Sequence, residues 1–382
     1  MSTPSVRHPG EFRWETRLLA VVTLTLTGFG VANCLAAGTY LATSYREATQ
    51  QALAALVGGV IFIIAAYTDY QLWRRLAKPL LYATIAGLIV LAIPAVIWRK
   101  RLAPGFIEAI VPLKLGARRW LRLGIQLQIS EIARFTLAAW VSMRLAEMGT
   151  KVRSLQEGFL PIVGVIAATA GLVLVEPSVT MAVVLTATCI AIVFTAGARI
   201  PHLLAPVAVG FAGLAAIMLI DPVRAKRLLA FSEPCAAIDQ VCNSLIGIGS
   251  GGITGLGFGR GSAKLGHLPF SYSDFLFSVV AEEWGFVGVI FVGICFGLFC
   301  WMGFRIAKTA RDPFGTFLAS GITLGIGVSA FMHAAVVTNL MPATGLTLPF
   351  MSAGRVSLIL CLFSAGVLVS IGRRRGRPAR EK

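Results

Sequence analysis

Charge is scarce in this 382-residue sequence. Only 13% of its residues are Asp, Glu, Lys or Arg, against 57% hydrophobic ones. Acids are the scarcer sign, with 17 Asp and Glu beside 34 Lys and Arg. So few charges cannot cover the surface of a soluble domain, and a mean hydropathy of +0.80 excludes that class. The seven cysteines form no CxxC, and no metal-ligand spacing is present. Also missing is any nucleic-acid recognition module, so the net charge of +17 does not point to nucleic acid as a partner. A membrane protein draws Lys and Arg to its cytoplasmic loops in any case.

What fills the sequence instead is long apolar runs. Ten spans can be read, at 18–41, 50–68, 79–98, 129–149, 158–176, 178–198, 202–220, 275–301, 313–340 and 355–372. The expected fold is all-α: one polytopic membrane helix bundle of about ten transmembrane helices. It divides into a short segment 1–17, a membrane domain 18–372 with a long connection at 221–274, and a basic tail at 373–382. The first run, Leu18 to Leu41, is too long for a signal-peptide core and reads as a signal anchor. Alternate connections are basic. Arg7, Arg13 and Arg17 precede the first span, Arg74, Arg75 and Lys78 follow the second, Lys151 and Arg153 the fourth, and Arg305, Lys308 and Arg311 the eighth. Both termini are therefore expected in the cytoplasm.

Three connections are unusual. Segment 99–128 sets seven Lys and Arg, among them Lys114, Arg118, Arg119 and Arg122, against the single acid Glu108. It lies on the side that the topology bias opposes. Either anionic lipid headgroups neutralise it, or it meets an anionic substrate. The second connection, 221–274, holds "GIGSGGITGLGFGRGSAKLGHLP". No strand precedes these glycines, so a dinucleotide loop is a weak match. They suit tightly bent backbone that either binds anions through its N–H groups or packs on the bundle. Cys235 and Cys242 share this connection and can pair if it faces an oxidising compartment. The third, "NLMPATGLTLPFMSAG", carries broken backbone between apolar spans, which is tolerated where it walls a cavity.

Few ionisable groups lie within the spans. Glu131 and Arg134 are three apart on one helix face, so an ion pair beside a cavity is expected. Asp274 opens the eighth span, where Ser271 or Ser273 could cap the helix equally well. Helical geometry turns Glu283 about 180° away from Asp274. Glu282 and Glu283 are accordingly read as acids that hold neighbouring helices.

Four stretches, in this order, resemble the SEDS family of bacterial cell-wall polymerases (FtsW, RodA and SpoVE). "GARRWLRLGIQLQISEIARF" resembles its Gly-Ala-x-Arg-Trp stretch and the Gln-Pro-Ser-Glu-Phe-x-Lys that follows. "VEPSVTMAV" is similar to Glu-Pro-Asp-Phe-Gly-Thr-Ala. The glycine stretch leads into "KLGHLPFSYSDFLFSVVAEEWG", like Lys-Leu-x-x-Leu-Pro and Thr-Asp-Phe-Ile-Phe-Ala-Val-Ile-Ala-Glu-Glu-Leu-Gly. "LMPATGLTLPFMSAG" is similar to Leu-Leu-Pro-Val-Thr-Gly-Leu-Pro-Leu-Pro-Phe-Ile-Ser-Tyr-Gly. The resemblance runs from 17 to 372, and the glutamate of "VEPS" leans toward FtsW. Departures are Ile129 for proline, Arg134 for lysine, Ser178 for aspartate, Thr180 for glycine, His333 for asparagine, and Arg355 within "SAGRVS".

The resemblance implies an inverting peptidoglycan glycosyltransferase that polymerises lipid II on a lipid-linked glycan, for cell division or cell shape. Asp274 matches the family's catalytic aspartate. Arg118, Arg119 and Lys264 are candidates to meet the pyrophosphate, with Thr344 and Ser352 as further substrate contacts. Mg²⁺ or Mn²⁺ is compatible with such a leaving group. Implied partners are a class B penicillin-binding protein (the transpeptidase) and other membrane proteins of the divisome or elongation complex, in the bacterial cytoplasmic membrane. A lipid II flippase would use the same cavity without a base, and a catalytically silent divisome scaffold would need neither.

Overall fold

Apolar runs with internally bonded backbone are the one open solution for a chain in lipid, and helices dominate accordingly. The computed structural model describes residues 14–38, 42–98, 103–113, 118–123, 125–220, 235, 239–262, 268 and 271–374. In chain order these form α1 (Trp14–Gly38), α2 (Ala42–Tyr67), α3 (Gln71–Ile97) and the short α4 (Gly105–Ile110). An antiparallel hairpin follows, β1 (Leu121–Leu123) and β2 (Ile125–Leu127), with Leu121 opposite Leu127. Then come α5 (Ile129–Met148), α6 (Leu160–Val175), α7 (Val179–Thr195), α8 (Ile200–Ile220) and α9 (Asp239–Gly251). The last three are α10 (Leu276–Lys308), α11 (Pro313–Val337) and α12 (Arg355–Arg373).

All ten expected spans are helices. Seven are long and apolar enough to cross a membrane. The other three are α5, which carries four charged residues, α7, with 17 residues, and α8. Some helices start earlier or end later than the apolar runs. α2 begins at Ala42 and α3 at Gln71, because polar residues extend a helix that their hydropathy does not announce.

Leu56, Ile63, Val96 and Ile294 are exposed on the outer surface, as side chains facing lipid would be. Lipid tails are as apolar as leucine, so the helices gain mainly from close packing with one another. One intimate contact is α12 on α2. A Cβ added at Gly366 would sit 2.5 Å from the Phe62 carbonyl oxygen, so only glycine allows this approach.

The two ends of the bundle differ. At one end, Arg305 pairs with Glu15 at 3.4 Å and lies over the Trp14 ring, and Arg374 pairs with Asp69 at 2.7 Å. Tyr70 there donates a hydrogen bond to Asp312. This end gathers the basic connections. The opposite end carries the hairpin, α9 and segment 339–354. Cys235 and Cys242 are joined there as a disulfide.

The glycine-rich stretch packs on α10. That helix is broken at Gly285, whose φ of 62° a side chain rarely adopts. The break frees backbone groups, and the glycine stretch satisfies them. Leu256 N–H donates to the Glu282 carbonyl at 3.0 Å and Gly257 N–H to the Glu283 carbonyl at 3.1 Å. In return Phe286 N–H donates to Gly252 at 2.9 Å and Val287 N–H to Ile253 at 3.2 Å. These amides are therefore committed to the protein, which removes the anion-binding alternative for Leu256 and Gly257. Glu282 closes the same loop, accepting from the Ser262 N–H at 2.6 Å and its hydroxyl at 2.7 Å. Glu282 and Glu283 are buried against this loop, and Glu282 also lies beside Gly247 of α9.

Candidate active site

Three helix N-termini meet at the hairpin end of the bundle. α5 begins after Gln128, α7 after Ser178 and α12 after Gly354, and none has a side-chain cap among the described residues. Their first turns open onto one cavity of about 400 Å³. Uncapped N-termini present N–H donors and positive dipole ends, which favours an anion in the space between them. Arg119, Arg134 and Arg355 line the same cavity, with Glu47, Glu131 and Asp274 as its acids.

Asp274 lies in the turn just before α10 and reaches this cavity. No side chain caps α10, so the capping role open to Asp274 is not used. Its neighbours are pinned to the segment before α12. The Ser352 hydroxyl donates to the Ser273 carbonyl at 2.6 Å, and Ala353 N–H donates to the Tyr272 carbonyl at 2.9 Å. Gly345 lies across the carboxylate, and a Cβ there would come 3.3 Å from Asp274 Oδ2. Burial pushes the Asp274 carboxyl up to about 6, with a Ser273 hydrogen bond and the Arg119 charge holding it down.

Segment 339–354 walls the cavity through Pro342, Thr344 and Thr347, as its broken backbone suggests. Thr344 keeps a buried hydroxyl oxygen without a hydrogen-bond partner among the described residues. Ser352, expected to touch substrate, does not line the cavity. It is 3% exposed and fastens backbone, donating to Ser273 and accepting from Leu348 N–H at 2.9 Å. His333 is buried and donates from Nδ1 to the Leu346 carbonyl at 2.6 Å, tying α11 to this wall.

The two adjacent arginines part company. Arg119 lines the cavity, its guanidinium 5.0 Å from the centre of the Trp120 ring. Arg118, expected beside it as a phosphate contact, is 1% exposed and turned into the protein. It pairs with Glu108 at 2.7 Å and donates to the carbonyls of Val111 and Trp98. A buried guanidinium must be fully partnered, and α4 provides the partners. Lys264 lies outside the described residues.

Glu131 and Arg134 both face the cavity, yet they form no direct ion pair within 4.0 Å. Arg134 instead donates to the Gly325 carbonyl at 3.4 Å. The expected pair is thus two cavity groups, with Ser357 beside Glu131 and backbone beside Arg134. Glu176 stands behind the wall, 0% exposed, with neither carboxyl oxygen hydrogen-bonded among the described residues. Burial pushes it up to about 8, opposed by the Arg119 charge. The sequence does not single out Glu47, Gln51, Gln126 or Gln128 as cavity residues. Their signal is polarity at the polar ends of apolar helices and along a strand. No group of three His, Cys, Asp or Glu among the described residues could hold a metal ion.

Comparison with known proteins fits this arrangement. The family model described as cell cycle protein (FtsW, RodA and SpoVE) matches residues 16–376. The chain belongs to the FtsW/RodA/SpoVE family. A probable peptidoglycan glycosyltransferase FtsW of Trichlorobacter lovleyi is 34% identical over 376 residues, which is 96% of this chain and 95% of that protein. The crystal structure of Thermus thermophilus RodA, a rod shape determining protein, superposes with a TM-score of 0.66 at 26% identity, covering 94% of this chain and 97% of that one. A chain from a peptidoglycan synthase complex, studied for the coordination of polymerization and crosslinking, shares the fold with a TM-score of 0.74 at 24% identity. That likeness covers 94% of this chain and 98% of the other. Membership in the FtsW/RodA/SpoVE family makes the chain a multi-pass membrane protein, and the cavity at Asp274 is a feature of that membrane domain.

Proposed function

We propose that the protein is a peptidoglycan glycosyltransferase that polymerises lipid II at the outer face of the bacterial cytoplasmic membrane. The observation that carries this reading is Asp274, a half-buried carboxylate facing a cavity onto which the uncapped N-termini of α5 and α7 open beside Arg119 and Arg134. Lipid-linked sugars bring a pyrophosphate, the kind of anion such a cavity favours. A carboxyl pushed to about 6 is largely ionised near pH 7 yet still a usable base. In this reading Asp274 takes the proton from the acceptor sugar's 4-hydroxyl as that oxygen attacks the donor's anomeric carbon, with inversion. The carbon–oxygen bond to the pyrophosphate breaks on the opposite side. Arg119 then stabilises the charge gathering on the leaving group.

The described residues form no cage for a resident divalent cation. Mg²⁺ or Mn²⁺ arriving on substrate phosphates needs only one or two protein carboxylates, and the cavity is lined by Glu47, Glu131 and Asp274. Orientation follows from chemistry at the two ends. The basic end belongs in the cytoplasm with both termini, and the end with the Cys235–Cys242 disulfide outside. The shared fold with a chain of a synthase complex supports a transpeptidase partner of the penicillin-binding class.

The test is polymerisation of purified lipid II by the full-length protein, read as glycan chains on a gel. The expected outcome is chain formation by the wild type and none by Asp274→Asn, with both proteins folded. Chains made by Asp274→Asn at the wild-type rate would remove Asp274 as the base. Lipid II transport by a wild type that makes no chains would replace the polymerase with a flippase.

A further inference from the structure

The reaction above uses the side of the cavity near Arg119 and Asp274. Beside it, next to the Ser352–Ser273 contact, the groups on α2 and at the start of α12 have no assigned work in that step. Gln51 is 1% exposed, yet it lines the cavity. Its Nε2 donates to the Ser352 carbonyl at 2.8 Å, which fixes the amide plane. The Oε1 is left buried with no hydrogen-bond partner among the described residues. A buried acceptor without a donor is costly, roughly 1–3 kcal/mol, and a ligand donor would relieve it. Glu47 lies one turn earlier on the same face of α2, also lining the cavity, with no ion pair or hydrogen bond among the described residues. Arg355 lines it from the first turn of α12. A cation is disfavoured at a helix N-terminus, and Arg355 has no ion pair or hydrogen bond among the described residues to offset that.

These three groups ask for different things. Gln51 Oε1 needs a donor and Glu47 can accept from one, whereas the exposed Arg355 can pair with an anion. A pyrophosphate supplies only acceptors, and Glu47 would repel it. A sugar supplies hydroxyls but no anion. A short peptide supplies amide N–H groups, ammonium and carboxylate within a few bonds. We propose that Glu47, Gln51 and Arg355 form a subsite for the peptide portion of the lipid-linked substrate. The proposal rests on the glycosyltransferase reading for the identity of that substrate.

The experiment is equilibrium binding to the full-length protein in lipid nanodiscs. The probes are two fluorescent lipid-linked disaccharides, one with its complete peptide and one with none. Wild type should bind the peptide-bearing probe about tenfold more tightly, the worth of one charge-assisted hydrogen bond. Arg355→Ala and Glu47→Gln should each erase most of that preference and leave the peptide-free probe unaffected. Gln51→Met should act likewise; if it does not fold, the other two variants decide. Equal weakening for both probes would mean that Arg355 reads pyrophosphate or sugar, and the subsite falls. No preference in the wild type, or binding of neither probe, also overturns it. Because the readout is binding, a wild type that prefers the peptide-bearing probe but makes no glycan would sink the polymerase reading while the subsite stands.

Discussion

The hydroxyl of Ser352 donates to the carbonyl of Ser273 at 2.6 Å, across 79 positions of sequence. This bond joins the wall segment before α12 to the residue next to Asp274. It makes Ser352 a positioning residue rather than a substrate contact. Ser352→Ala removes the donor and leaves Leu348 N–H without its acceptor, at a cost of roughly 1–3 kcal/mol. The loosened turn should lower kcat about tenfold or more, since small misplacements of a reacting group are costly. KM should stay within about twofold, because no contact to substrate is lost. Thermal unfolding in detergent and initial rates together check this. A variant that melts early but turns over normally would show that the bond holds the wall without aiming Asp274.

The acid limb of the pH profile should belong to Asp274. Its carboxyl is held at about 6, so kcat/KM should fall about tenfold per pH unit below that value and level off above it. Arg119 is one of the groups that hold the carboxyl down. Arg119→Gln should therefore move the limb to higher pH, in addition to slowing departure of the pyrophosphate. A limb that stays in place in Arg119→Gln would separate the two residues electrostatically.

The sequence makes the ten helices legible because apolar runs bounded by polar connections have few other solutions in lipid. It also points at Asp274, where a carboxylate sits at the mouth of a helix that has other means of capping. The hairpin is less visible. Leu121, Leu123, Ile125 and Leu127 alternate with polar or small residues, a strand period hidden in a chain read as helical. Arg118 and Arg119 cannot be told apart by composition. The fold decides between them, since α4 offers Glu108 and a carbonyl to one side of the chain and the cavity opens on the other. Spacing of three allows Glu131 and Arg134 to pair, but cavity and backbone partners compete for both. The subsite at Gln51 needs contacts between α2 and the segment before α12, which no local pattern reveals.

That division between the arginines can be measured. Arg118→Ala should destabilise the protein, because it strands Glu108 and two carbonyls. The Arg118 side chain is fully buried while Glu108 is 28% exposed, so most of the loss comes from the two carbonyls left without a donor. Arg119→Ala should leave the melting temperature nearly unchanged while lowering polymerisation about tenfold or more. The reverse pattern, with Arg118→Ala stable and inactive, would return Arg118 to the substrate.

Glu176 should shape the stability of the protein at high pH. It is fully buried without a hydrogen-bond partner among the described residues, and burial holds it at about 8. In the unfolded chain a glutamate titrates near 4.3, about as any free carboxylate does. The folded state therefore binds the proton more tightly. Its contribution to stability is fully present below the unfolded value and is lost as the pH rises through about 8. Glu176→Gln keeps the shape of the neutral acid and cannot ionise. Wild type and variant should thus unfold at similar temperatures near pH 4, and the variant should become progressively the more stable of the two toward about pH 9. Thermal unfolding across that range in detergent checks it. A constant difference between the two proteins at every pH would mean that Glu176 stays ionised throughout, held by Arg119, and the neutral reading of this buried acid would fail.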